Sequence, residues 1–139
     1  MMNTLNGKLI VISAPSGTGK TSIVKALVNN SNDLIVSVST TTRKPRPGEL
    51  EGKDYFFVNK DKFEKLKNND EFIEWAIVYG NFYGTSAKWV EKKIKTGKKI
   101  LLEIDWQGAQ QIRRKFKNSK NLITIFLKPP SLKELTKRL

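Results

Sequence analysis

The stretch KLIVISAPSGTGKT, residues 8–21, sets an apolar run against a glycine-rich turn that ends in a lysine and a hydroxyl. An apolar run without polar alternation reads as a strand buried on both faces. Beyond it, Ile23, Val24, Leu27 and Val28 recur at helical spacing and predict a helix over residues 20–30. Ala14, Pro15, Ser16, Gly17, Thr18 and Gly19 lie between the two. Gly17 and Gly19 allow the backbone to curl around an anion without Cβ clashes. The amide groups and the helix N-terminus then face that anion. Lys20 is placed to reach the β- and γ-phosphates of a nucleotide, and Thr21 to offer its hydroxyl to Mg²⁺. Ala14 stands where the strict pattern has glycine, and a Cβ is compatible with that place if φ is negative.

Downstream, residues 34–39 read as a second strand. Residues 40–53 read as loop, with three Thr, two Arg, two Pro and two Gly in fourteen positions. Residues 55–58 predict a short strand. Asp61 and Glu64 form a capping-box-like pair opening a helix to about residue 69. The aromatic-rich stretch 72–83 predicts strands with a turn at Gly80 and Asn81. Ser86 is placed to cap a helix reaching residue 96, stopped by Gly97. A strand over 99–104, a helix over 106–116 and a strand over 122–127 restore the βαβ rhythm. Pro129 and Pro130 end it, and Ser131 with Glu134 box a last helix. No stop signal follows that helix, so Leu139 reads as the end of a fragment. The aromatic residues Phe56, Phe72, Trp75, Phe82, Trp89 and Trp106 read as packing.

Two groups carry further chemistry. In residues 100–105, ILLEID, Glu103 and Asp105 sit at the C-terminal end of an apolar strand, where open α/β sheets bind ligands. Asp105 suits the acidic residue that organises Mg²⁺ and its waters, and it also suits a helix cap. Two acids on one strand face are costly unless they meet a ligand or a cation. In residues 39–48, STTTRKPRPG, Arg43 and Arg46 lie on a constrained loop and can clamp a phosphate bidentately. Tyr55 and Tyr83 could add phenolic donors to the same phosphate.

Composition narrows the classes. With 139 residues, 38% of them apolar, the chain makes one domain with a core. No apolar run approaches the ~18–20 residues of a membrane span, and residues 1–8 lack a signal-peptide layout. Cysteine and histidine are absent, which excludes disulfides, thiolate metal sites and imidazole catalysis. The expected location is the cytoplasm. The formal charge is +13, but the 21 Lys are scattered and accompanied by 11 Asn, a general bias rather than a nucleic-acid-binding patch.

The segments STTTRKPR (39–46), GKDYF (52–56), EFIEW (71–75), GNFYGT (80–85), LEIDWQG (102–108) and PPS (129–131) resemble, in order, those of guanylate kinases. The resemblance runs from about Leu9 to Leu139, and Ala14 is common at its position in bacterial members. It implies an α/β fold of the P-loop nucleoside-monophosphate-kinase kind, a parallel sheet flanked by helices with a small α+β GMP-binding region inserted. Residues 1–38 and 99–139 would form the core and 39–98 the inserted region. The family sheet has strand order 2-3-1-4-5, of which this chain supplies four, leaving out an edge strand.

The resemblance further implies transfer of the γ-phosphate of MgATP to GMP, giving GDP and ADP. Arg43, Arg46, Tyr55 and Tyr83 correspond to residues that hold the GMP phosphate. Ser39, Glu74, Thr85 and Glu103 correspond to residues that read guanine. Arg138 matches the first arginine of a lid that acts on the ATP phosphates, and the rest of that lid has no counterpart. Lys20, Arg43, Asp105 and Arg138 are thus the expected catalytic set. Residues 14–21 are the expected ATP site, and Thr21 and Asp105 (through water) the expected Mg²⁺ partners. The chain is expected to bind GMP, to turn over poorly, and to be prone to self-association through an exposed edge strand. The competing reading is a guanylate-kinase-like binding module without catalysis, which the intact glycine-rich loop disfavours.

Overall fold

The computed structural model describes residues 7–13 and 20–127, with Lys20 and Thr21 described by backbone alone. Strand β1 (Leu9–Ser13) is central to a parallel sheet. It pairs on one side with β7 (Lys99–Glu103), Leu9 opposite Ile100 and Ile12 opposite Glu103. On the other side it pairs with β8 (Leu122–Phe126), Leu9 opposite Leu122. Strand β2 (Leu34–Val36) lies outside β7, so the order is β2-β7-β1-β8. This is the four-strand order 2-3-1-4 expected from the resemblance. Among the described residues β8 is an edge, and Ile123 and Phe126 are exposed on it.

Side chains alternate across a strand, which explains two cores. Leu9, Val11, Ile100 and Leu102 point to one face, where they meet Val90 and Ile94 of α3 (Ala87–Ile94). Ala109, Ile112 and Phe116, from α4 (Trp106–Lys115) and its C-cap, complete that layer. Ile12 and Leu101 point to the other face and meet Leu34 and Val24 of α1 (Lys20–Asn29). Continuous apolar runs in β1 and β7 are therefore required, because both faces are covered.

A second, mixed sheet has the order β4-β3-β6-β5. It comprises β3 (Ser39–Thr41), β4 (Tyr55–Phe57), β5 (Phe72–Val78) and β6 (Asn81–Ser86). Phe63 of α2 (Lys60–Asn68) is fully buried beneath it, its ring 4.7 Å from that of Phe72 and 5.4 Å from that of Phe82.

Several expectations shift. The strand expected over 34–39 is two strands in two sheets: Val36 is the last residue paired with β7, and Ser39 already pairs with Tyr55. Thr40 and Thr41, expected as loop, are buried strand residues opposite Gly84 and Tyr83. These β6 partners lie more than forty positions away, beyond any local pattern. Asn59, not Asp61, caps α2, accepting from the Lys62 N–H at 2.8 Å. The hairpin turn is Tyr79–Gly80, with φ of 50° and 79°, because Val78 and Asn81 already pair. Two successive positive φ values are the signature of a type I′ turn. Trp106, expected to pack, is 61% exposed on the first turn of α4. On α1 only Val24 of the expected face is buried; Ile23 and Leu27 are exposed. Ser86 caps α3 as expected, accepting from the Trp89 N–H at 3.2 Å. The last helix and its Ser131, Glu134 and Leu139 lie outside the described residues.

Candidate functional site

A cavity of about 430 Å³ opens where the carboxyl ends of β2 and β7 meet one face of the second sheet. The core sheet contributes Val36, Ser37, Glu103, Ile104 and Asp105. The second sheet contributes Ser39, Tyr55, Glu74, Ala76 and Tyr83. The register aligns the latter on one face: Ser39 lies opposite Tyr55, and Tyr83 opposite Ala76. Tyr55 and Glu74 occupy the two edge strands, so the cavity spans the sheet's whole width, about 14 Å over three strand spacings.

The β5 edge is acidic. A register shift between Phe72 and Glu74 leaves Ile73 without an opposite residue and turns Glu74 inward. Glu74 is only 3% exposed, and Thr85 behind it donates its hydroxyl at 2.7 Å. Burial pushes the Glu74 carboxyl up to about 7, the Thr85 hydrogen bond opposes this, and the negative charge of Asp105 adds to it. Gly108 faces the same carboxylate; a Cβ there would run into Oε2. Asp105 caps α4: Oδ1 accepts from the Gly108 N–H at 3.2 Å and Oδ2 from the Gln107 amide at 2.9 Å. The helix-cap role weighed for it is thus realised, while the residue still borders the cavity.

The β4 side is lined by the phenols of Tyr55 and Tyr83 and by the carboxylates of Glu49 and Asp54, with Arg43 packed against Tyr55. The rings of Tyr55 and Tyr83 lie 6.1 Å apart, and the Arg43 guanidinium carbon sits 5.1 Å from the Tyr55 centroid. Glu49, which borders the cavity, grips Arg43 bidentately at 3.0 and 2.9 Å. That pairing holds the Glu49 carboxyl down at about 2 and raises the Arg43 guanidinium above its ordinary value. Arg46 is exposed on the loop, and its backbone N–H donates to Glu49 at 2.7 Å.

The fold therefore gathers Ser39, Tyr55, Glu74, Tyr83, Glu103 and Asp105 around one space, with Thr85 behind Glu74 and Arg43 against Tyr55. Lys20 and Thr21 begin α1, the next described element after the central strand. Ala14, Pro15, Ser16, Gly17, Thr18, Gly19 and Arg138 lie outside the described residues. Sequence reasoning missed Glu49, although Pro47-Gly48 before it signals a turn that would bring it back on the arginines. It also missed Gln107, Gln111 and Lys115. These α4 side chains donate to the carbonyls of Ile77 (3.1 Å), Trp75 (2.6 Å) and Ile73 (3.3 Å) along β5. Gln111 additionally accepts from the Trp75 N–H at 3.0 Å.

A family model described as guanylate kinase matches residues 6–139. A guanylate kinase of Aromatoleum aromaticum is 51% identical over 133 residues, covering 96% of this chain and 64% of that protein. A guanylate kinase of Escherichia coli K12 is 50% identical over 135 residues, with the same coverages. Among solved structures, a guanylate kinase from Anaplasma phagocytophilum superposes with a TM-score of 0.75 at 40% identity, covering 95% of this chain and 65% of that one. The chain thus spans somewhat under two thirds of the length of the relatives it matches.

Proposed function

Since this chain belongs to the guanylate kinase family, we propose that its cavity takes GMP and that the protein transfers the γ-phosphate of ATP to it, giving GDP and ADP. The observation that supports this most is that one cavity brings Glu74 and Glu103 together with Tyr55 and Tyr83, with Arg43 against the Tyr55 ring. Guanine presents N1–H and N2–H₂ donors, which Glu74 and Glu103 accept, with Ser39 and Thr85 completing the set. Adenine has no such donors, and paired acids would be left unsatisfied against it. Arg43, Arg46, Tyr55 and Tyr83 take the GMP phosphate.

On the donor side, residues 14–19 with Lys20 and Thr21 hold the ATP phosphates, and Arg138 acts on the same charge. A divalent cation suits this arrangement. Among the described residues no cluster of three ligating side chains exists. Mg²⁺ typically relies on phosphates and waters with one or two protein groups. Asp105, with spare lone pairs beyond its two hydrogen bonds, serves it through water. When bound, Mg²⁺ supplies neutralisation of phosphate charge. The chain's own residues orient GMP, stabilise charge and form no covalent intermediate.

The same reading assigns 1–38 and 99–139 to the core and 39–98 to the GMP-binding region. It includes a cytoplasmic location, no dedicated nucleic-acid role and self-association through the exposed side of β8. No helix among the described residues is long and apolar enough to cross a membrane. The test is calorimetric titration with GMP and with AMP, followed by a coupled assay for ADP release. GMP is expected to bind clearly tighter; equal affinities would overturn the assignment.

A further inference from the structure

Glu49 sets a negative charge beside Arg43, where the proposed substrate's phosphate is to bind, and that charge repels an anion. The local geometry says what offsets this. Arg46 to Glu49 close a turn, the Glu49 N–H donating to the Arg46 carbonyl at 3.0 Å, with Gly48 at φ 87°. Pro47 and Gly48 occupy the two central places as a type II turn requires. The turn directs the Glu49 carboxylate back over the loop, where it takes the Arg46 N–H and both terminal nitrogens of Arg43. Arg43 Nη1 also donates to the Lys44 carbonyl at 3.0 Å, and the Arg43 backbone N–H donates to Thr41 Oγ1 at 3.1 Å.

A guanidinium offers five N–H donors in a fixed planar fork. Both on Nη1 are taken, and one on Nη2. What the Glu49 and Lys44 bonds leave is the side edge, Nε–H with the second N–H of Nη2, a parallel pair fit for two phosphate oxygens. The phenols of Tyr55 and Tyr83 interact with the guanidinium and both border the cavity, so phosphate would join them there.

We infer that Glu49 is a positioning residue for the substrate's phosphate: by occupying the end-on edge of Arg43 it presents the side edge, flanked by Tyr55 and Tyr83, as one fixed clamp. This rests on the reading of the cavity as the GMP site. The alternative is that Glu49 stands in for the phosphate and is displaced by it. Titration of GMP and of guanosine, which lacks the phosphate, separates the two in wild type, Glu49→Gln and Glu49→Asp. Both variants are expected to bind GMP roughly tenfold or more weakly, as charge-assisted hydrogen bonds lose their direction, with guanosine affinity unchanged. GMP affinity equal to or above wild type overturns the inference and makes Glu49 a stand-in. An equal loss for guanosine also overturns it, since the effect is then on the whole loop. If wild type binds neither ligand, the GMP reading fails and this inference with it. Should E49Q not fold, E49D, which keeps the charge and shortens the reach, decides the question.

Discussion

At the scale of the residue, Glu74 joins stability to recognition. Its carboxyl, raised to about 7 in the fold by burial, has an ordinary value of 4.5. Between these values the folded chain holds a proton that the unfolded chain has released, so stability falls as pH rises from about 4.5 through about 7. The penalty is full above 7, on the order of 3 kcal/mol. Glu74→Gln is expected to remove this slope, melting above wild type at pH 8 and close to it near pH 4.5; thermal melts across that range check it. The same variant is expected to weaken GMP by ~1–3 kcal/mol. If the ionised carboxylate accepts from guanine, the wild-type advantage over E74Q grows with pH up to about 7 and then levels. A GMP advantage that does not depend on pH would place Glu74 outside the contact. Glu103 and Asp105 were singled out by residue type and place on a strand, whereas Ser39, Glu74 and Thr85 were named only through the family resemblance. The buried pairing of Glu74 with Thr85 was not, because it depends on a register shift between two strands.

At the scale of the element, α4 closes the outer edge of the second sheet. Gln107, Gln111 and Lys115 recur every four residues, one row on the helix, and reach carbonyls at every second residue of β5. An unpaired edge strand invites association, and here a helix's side chains satisfy it. Gln111→Ala strands both polar groups of Trp75 and is expected to cost about 1–3 kcal/mol. Gln110→Ala, one position away and exposed, should stay within about 0.5 kcal/mol. Denaturant unfolding of the pair checks this, and equal stabilities would mean that the row is ornamental. The helix and the possibility of an Asp105 cap were readable from the βαβ rhythm and from residue type. The zipper was not, since nothing local to residues 106–115 names β5 as its neighbour.

At the scale of the molecule, the proposed acceptor cavity lies beyond the carboxyl ends of β2 and β7, and the proposed donor residues Lys20 and Thr21 begin α1, the next described element after β1. Their separation is testable. Lys20→Ala is expected to weaken ADP and ATP at least tenfold, since a charge-assisted contact to phosphate is lost, while leaving GMP affinity and the melting temperature as they were. Titration with ADP and GMP checks both arms, and unchanged ADP affinity would remove Lys20 from the donor site.

What the sequence determined by itself is the local grammar: apolar runs for strands covered on both faces, Ser86 as a cap, the glycine-rich stretch between strand and helix, and the parallel βαβ rhythm. Each depends on residues within one or two turns of each other, where backbone geometry and burial leave few choices. What only the tertiary structure decided depends on partners far apart in the chain. The crossing of residues 37–38 from one sheet to the other, the burial of Thr40 and Thr41 against β6, the outward Trp106, and the Arg43–Glu49 grip inside a folded-back turn are of this kind. In each, a side chain's environment is set by a neighbour that the intervening sequence does not specify, and packing and hydrogen-bond satisfaction choose it.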